Sequence, residues 1–153
     1  MHNISEQVRG GTVCLSKAGL VVAGTTSKAR TNAPNGAGVD FAINGKIYHL
    51  PDADNNIVFT AATQAALTTC LYLVCIDYAN TITVIKGTEV VTADLTAGKI
   101  ALTWPMPTVG LCPIGAIKVV ATAVFIAGTT ALGTGNAVTY YDLFAVPDTP
   151  ITS

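Results

Sequence analysis

The sequence predicts an all-β domain, an antiparallel β-sandwich or jelly-roll-like fold, and three observations carry that prediction. Thr (22), Val (16) and Ile (12) together supply 50 of the 153 residues. These β-branched side chains are stiff at χ1 and suit a pleated sheet better than a helix. Glu and Gln, both good helix formers, occur only twice each. Turn residues recur between short apolar runs, giving about eight or nine strands at near-regular spacing. At 153 residues the chain fits one domain with a core of its own. The boundaries expected are an extended N-terminal arm at 1–18, a β-domain at 19–146 and a short C-terminal tail at 147–153.

Taken in order, residues 1–18 have little apolar pattern and read as the arm, and 20–23 make a first short strand ended by Gly24. Residues 30–38 hold Asn32, Pro34, Asn35, Gly36 and Gly38, which is loop chemistry. Asn44-Gly45 between Val39–Ile43 and Lys46–Leu50 predicts a two-residue type I′ hairpin, because both residues tolerate positive φ. After the polar loop 51–56, residues 57–60 read as a short strand and 60–69 as a wide loop or one helical turn. Residues 70–78 and 82–86 form a second hairpin around the turn 77–81. One helical turn is expected within 88–98, and an extended piece at 100–104. Pro105 and Pro107 keep the next stretch extended and poor in donors. Residues 114–122 and 123–126 read as strands, 129–136 as a loop, and 138–144 as the last strand.

Composition excludes several classes. The chain is too apolar, at 50% hydrophobic, and too weakly charged, at 11%, to be disordered. A net charge of −1 without a basic run argues against nucleic acid, whose binding needs clustered cations. Residues 114–132 are the most lipid-like, but Gly115, Gly128 and several Thr interrupt them and no basic cluster flanks them, so two buried strands are expected rather than a membrane span. Lys17 interrupts the weakly apolar stretch after Arg9, which is not the pattern of a secretory signal. Cys14, Cys70, Cys75 and Cys112 form no C-x-x-C pair, and Cys70 and Cys75 fall on opposite faces of one strand. They read as four reduced, buried thiols, with no metal site.

Catalysis finds no support. His49 is the only internal His, and a strand-face position explains it; no Ser sits in a nucleophile elbow. Asp52, Asp54 and Asn56 alternate as calcium ligands do, but the positions for the loop glycine and the bidentate Glu hold Ile57 and Thr63, so a solvated turn is expected. No nucleotide-binding glycine pattern occurs, and no cofactor is expected. The chain is therefore read as a non-enzyme.

The informative feature is the surface. A Thr-rich, charge-poor β-domain suggests faces that are buried in an assembly. Trp104, Pro105, Met106 and Pro107 are the candidate interface, with the single Trp either anchoring in a partner or capping its own core. The arm and the tail are further docking candidates. A carbohydrate-binding module is the alternative of a different class, but it wants several aromatics on one exposed face. Tyr140 and Tyr141 alternate across their strand instead.

An ordered set of phrases runs through residues 20–145: Val22 to Lys28, Phe41 to Tyr48, Asn56 to Thr60, Leu71 to Asp77 followed by Ile82-Thr83-Val84, Pro113-Ile114-Gly115, and Phe125 to Leu132. This set resembles small virion structural proteins of tailed bacteriophages, of the capsid decoration (cement) type. The resemblance implies a protein made in the host cytoplasm and placed on the capsid exterior. Its partners would be the major capsid protein and itself, as a homo-oligomer with a trimer favoured. It would brace the assembled shell. A tail fibre, tube or baseplate component is the alternative within the virion.

Overall fold

The computed structural model describes residues 11–144. Twelve strands, a 3-10 turn (Pro34–Gly36) and one short α-helix follow each other along them. The strands are β1 (Val13–Cys14), β2 (Val21–Val22), β3 (Ala29–Arg30), β4 (Val39–Ile43), β5 (Lys46–Leu50), β6 (Thr63–Gln64), β7 (Thr68–Ile76), β8 (Ile82–Lys86) and β9 (Val90–Val91). After helix α1 (Thr92–Thr96) come β10 (Cys112–Ala121), β11 (Phe125–Ile126) and β12 (Asn136–Asp142). The domain is all-β and every pairing is antiparallel, as the β-branched composition predicts.

Two sheets make the sandwich. The larger is ordered β12-β10-β7-β8, with β9 also on β7, and the smaller is ordered β1-β4-β5. Val39, Phe41 and Ile43 of the small sheet meet Tyr72, Val74, Ile76, Ile114 and Ile117 of the large one in a single dry core. Tyr72 is its centre. Phe59 and Phe125 stand edge-on to its ring, at centroid distances of 5.6 and 6.1 Å. The Tyr72 hydroxyl donates to Gln64 Oε1, and Gln64 Nε2 donates to the carbonyls of Thr68 and Val119. Gln64 is wholly enclosed, and these partners satisfy both ends of its amide.

The other face of the large sheet is covered too. Leu71, Leu73, Cys75 and Ala116 are buried there beneath Leu95 of α1 and a strand-free strap, residues 99–111, that contributes Leu102, Trp104 and Leu111. β7 is consequently buried from Thr69 to Ile76 on both sides, which is why its sequence shows an unbroken apolar run instead of alternation.

Both hairpins form as the sequence predicts. Asn44 and Gly45 sit at φ 53° and 77°, and β4 pairs β5 in the register Ile43↔Lys46. Asp77 closes the second turn by accepting from the amides of Ala79 and Thr81. Two expectations are corrected. Residues 57–60 are not a strand, since Ile57 makes only one isolated bridge, to Ala29. The supposed loop at 60–69 contains β6 and the start of β7. Residues 100–104 are extended as expected and pair with nothing, because their side chains cap a sheet face instead of joining its edge. Residues 13–14 of the expected arm form β1 on β4, and Ala18 is fully buried; residues 1–10 and the tail 147–153 lie outside the described residues.

β10 shifts register between Pro113 and Gly115, and Leu20 packs into the space this leaves. A Cβ at Gly115 would meet the Leu20 side chain and lie 2.7 Å from the Tyr141 carbonyl oxygen. Gly115→Ala is therefore expected to destabilise the domain by about 1–3 kcal/mol, read as a lower urea midpoint at unchanged slope.

Candidate interaction surface

The strap builds the most distinctive surface of the molecule. Pro105 and Pro107 lack amide donors, so this stretch cannot add a strand and runs extended over the sheet. Pro105 lies against Gly87, where a Cβ would come within 2.9 Å of its ring. Trp104 turns inward and packs against both apolar clusters on the outer face of the large sheet. Of the two roles the sequence allows it, it fills the capping one, while staying half-exposed.

Beside the strap lies an open groove of about 380 Å³. Trp104, Pro105, Met106 and Pro107 line it together with Thr12, Val13 and Cys14 at β1, Leu73 of β7, Pro113 of β10 and Leu143. No lining residue is charged. Met106 is 76% exposed and Val109, further along the strap, 99%. All four residues singled out in the sequence thus meet in one place. Their partners in the groove come from β1, β7, β10 and the residue after β12, which no local pattern connects.

The other candidates resolve into structural roles. His49 Nδ1 lies 2.8 Å from Asp40 Oδ1, both on the exposed side of the β4–β5 hairpin. Ser16 Oγ accepts the amide of Asp40. The alternating acids of residues 52–56 act as a staple. Asp52, Asp54, Asn55 and Asn56 accept the backbone amides of Ala33, Gly24, Thr25 and Thr31. Arg30 reaches Asp54 as well, at 3.6 Å. The oxygens that resemble calcium ligands are thereby aimed at the chain around β2 and β3. Among the described residues no three His, Cys, Asp or Glu converge as a metal site would require.

The four thiols are buried and unpaired by disulfides. Cys70 faces the dry core and Cys75 the outer face, as the five-residue spacing predicts. Burial pushes Cys14 and Cys70 up to about 11, and Cys75 and Cys112 up to about 12. At neutral pH they are apolar filling. Tyr140 and Tyr141 point to opposite faces and are partly buried, so they form no common platform for a sugar. Among the described residues no helix is long and apolar enough to cross a membrane; the lipid-like stretch is β10 and β11.

Comparison of the chain with protein-family models, with curated proteins and with solved structures gave no significant match.

Two outcomes follow from this surface. Trp104→Ala uncovers the outer sheet face and is expected to cost about 2–3 kcal/mol in urea unfolding, less than the ~3–5 kcal/mol of a fully enclosed aromatic. The thiols set an alkaline limit. Their folded values lie above the ordinary 9.0, so their contribution is complete below pH 9 and is lost as pH rises toward 11–12. Urea midpoints under reducing conditions are expected to stay level between about pH 7 and 8 and to fall steadily above about pH 9.

Proposed function

We propose that the chain is a virion structural protein of a tailed bacteriophage, a capsid decoration or cement subunit that stabilises the head by binding assembled major capsid protein on its exterior. It is made in the host cytoplasm and works without catalysis. One observation carries the reading beyond the sequence resemblance: a charge-free groove bounded by Trp104, Pro105, Met106 and Pro107, with Met106 and Val109 standing in solvent. Exposed apolar side chains around a concave apolar strip are the usual mark of a protein interface. A ligand that binds the closed shell but not its separated subunits stabilises the shell by linkage. Repetition over many copies makes a modest contact energy large for the whole head.

The test is co-sedimentation with expanded empty heads that lack decoration. Saturable binding is expected, together with a higher melting temperature of the heads and no binding to unassembled capsid protein. Met106→Asp adds a charge at an exposed position, so the domain should keep its circular dichroism and melting temperature while its affinity for heads drops at least ~10-fold. No saturable binding, or equal binding by the variant, overturns the reading. Binding to tails instead of heads would make the chain a tail component.

A further inference from the structure

We infer that β12 is a self-association edge, and that two copies of this chain join by pairing their β12 strands antiparallel about a two-fold axis.

Three longer strands in the described residues have an unpaired edge, and they differ in how that edge is protected. On β5, Lys46 stands at the turn and Asn80 Nδ2 donates to the carbonyl of His49. Beside β8, Lys86 Nζ reaches the carbonyl of Thr63, and Glu89 takes the amide of Ala65, so the chain at 63–65 is held against that side. Among the described residues β12 has no such device along 136–141; only at its last position does Asp142 accept the Leu20 amide, with Lys17 Nζ 3.8 Å away. Its seven residues, Asn-Ala-Val-Thr-Tyr-Tyr-Asp, contain no Lys, Arg, Pro or Gly, and its one charge sits at the last position. Lys, Pro and bulges are the usual means of keeping sheet edges apart. An unguarded edge of this length is a template for another strand.

The hydrogen-bond register says which groups are available. The Leu143 amide donates to the Ile114 carbonyl, and Ala116↔Tyr141, Lys118↔Thr139 and Val120↔Ala137 are pairs of the ladder. Alternation then turns the amides and carbonyls of residues 137, 139 and 141 toward β10. Those of Asn136, Val138, Tyr140 and Asp142 point away from it. A two-fold axis at Thr139 uses the whole strand: Asn136 faces Asp142 of the second copy, Val138 faces Tyr140, and each outward group finds a partner, giving about eight backbone hydrogen bonds. Moving the axis to residue 138 or 140 would leave two residues of each strand unpaired.

Charge supports the same register. The lone carboxylate of each strand lies opposite an amide side chain, so no like charges meet. Side chains also match, since the Val138–Tyr140 pairs extend the inner face of the sheet and Thr139 meets Thr139. An interface of this kind is isologous and closes on itself, so it gives a dimer in place of the three-fold arrangement suggested by the sequence resemblance. It concerns a different surface from the groove and does not depend on head binding.

Thr139 provides the test. It is exposed, lies on the axis, and belongs to a non-hydrogen-bonded pair in the dimer, where Cα atoms approach to about 4.5 Å. Thr139→Cys is expected to give a disulfide-linked dimer on mild oxidation, whereas Ala137→Cys, which faces Tyr141, should not. Thr139→Glu brings two carboxylates together across the axis, while within its own chain the new side chain sits beside Lys118, its partner in β10. Its fold should survive, as read by circular dichroism, and light scattering after size exclusion should show the monomer mass where the wild type shows the dimer. Mixing Thr139→Glu with Thr139→Lys should restore the dimer mass. A wild-type monomer at about 100 μM, a trimer, or an undiminished Thr139→Glu dimer overturns the proposal, as does failure of Thr139→Cys to cross-link.

Discussion

The rest of the structure depends on the pairing of β7 with β10, two long strands whose side chains are buried on both faces of the sheet. An antiparallel sheet commonly leaves one face to water. Here neither face is suited to it: Tyr72, Val74 and Ile117 stand on one side, Leu71, Leu73 and Ala116 on the other. The small sheet covers the first face. The strap at 99–111 and helix α1 cover the second. The groove beside Trp104 follows from that choice, because a strap is narrower than a sheet and leaves an open margin where it ends.

The amide caught at the end of the core, Gln64, is given a partner at both its oxygen and its nitrogen. Gln64 lies at the end of the core where β6 meets β11, and it ties Tyr72 to the carbonyls of Thr68 and Val119, where β7 begins and β10 finishes. A buried amide left half-satisfied would cost more than it contributes. Lys118 is the harder case. It is buried on the outer face, opposite Leu71 and Thr139, and among the described residues no carboxylate comes within ion-pair distance. A lysine can lay its aliphatic stem on apolar neighbours while its ammonium reaches the nearest edge, and β12, the outermost strand, puts that edge close by.

What was legible in the sequence divides by distance along the chain. The β4–β5 hairpin reads directly because Asn44-Gly45 carries its own turn chemistry, and β7–β8 because Asp77 folds the chain back within five residues. The opposite faces of Cys70 and Cys75, and of Tyr140 and Tyr141, follow from strand geometry alone. The pairing of β7 with β10 joins strands separated by residues 77–111 and has no local signature. The same is true of β6 with β11. Residues 57–60 misled because an apolar alternation can serve a buried loop as well as a strand: Ile57 and Phe59 point inward, Val58 and Thr60 outward, and pairing stops after the single bridge from Ile57 to Ala29. At the groove, Trp-Pro-Met-Pro was visible as an oddity of composition, but Val13, Pro113 and Leu143 join it only through the tertiary fold.

The scarcity of charge acquires a structural meaning once each carboxylate is followed to its partner. All seven described acids are engaged. Asp40 holds His49; Asp52 and Asp54 hold the amides of Ala33 and Gly24; Asp77 closes its own turn; Glu89 holds Lys86 and Ala65; Asp94 holds Lys99; Asp142 holds the amide of Leu20 and lies near Lys17. Burial alone would raise Glu89, yet the bonds from Lys86, Ala65 and Thr68 outweigh it and keep this carboxyl below its ordinary value. Exposed ion pairs contribute little stability one by one, but an acid bonded to a backbone amide fixes a loop, and most of these acids do that. Few are left to coat the surface with free charge. A protein built this way resists self-association poorly, since net charge is what keeps soluble domains apart. The same economy of charge that lets the loops be stapled leaves the β12 edge and the Trp104 groove with few charged side chains, which is what the two proposed contacts require.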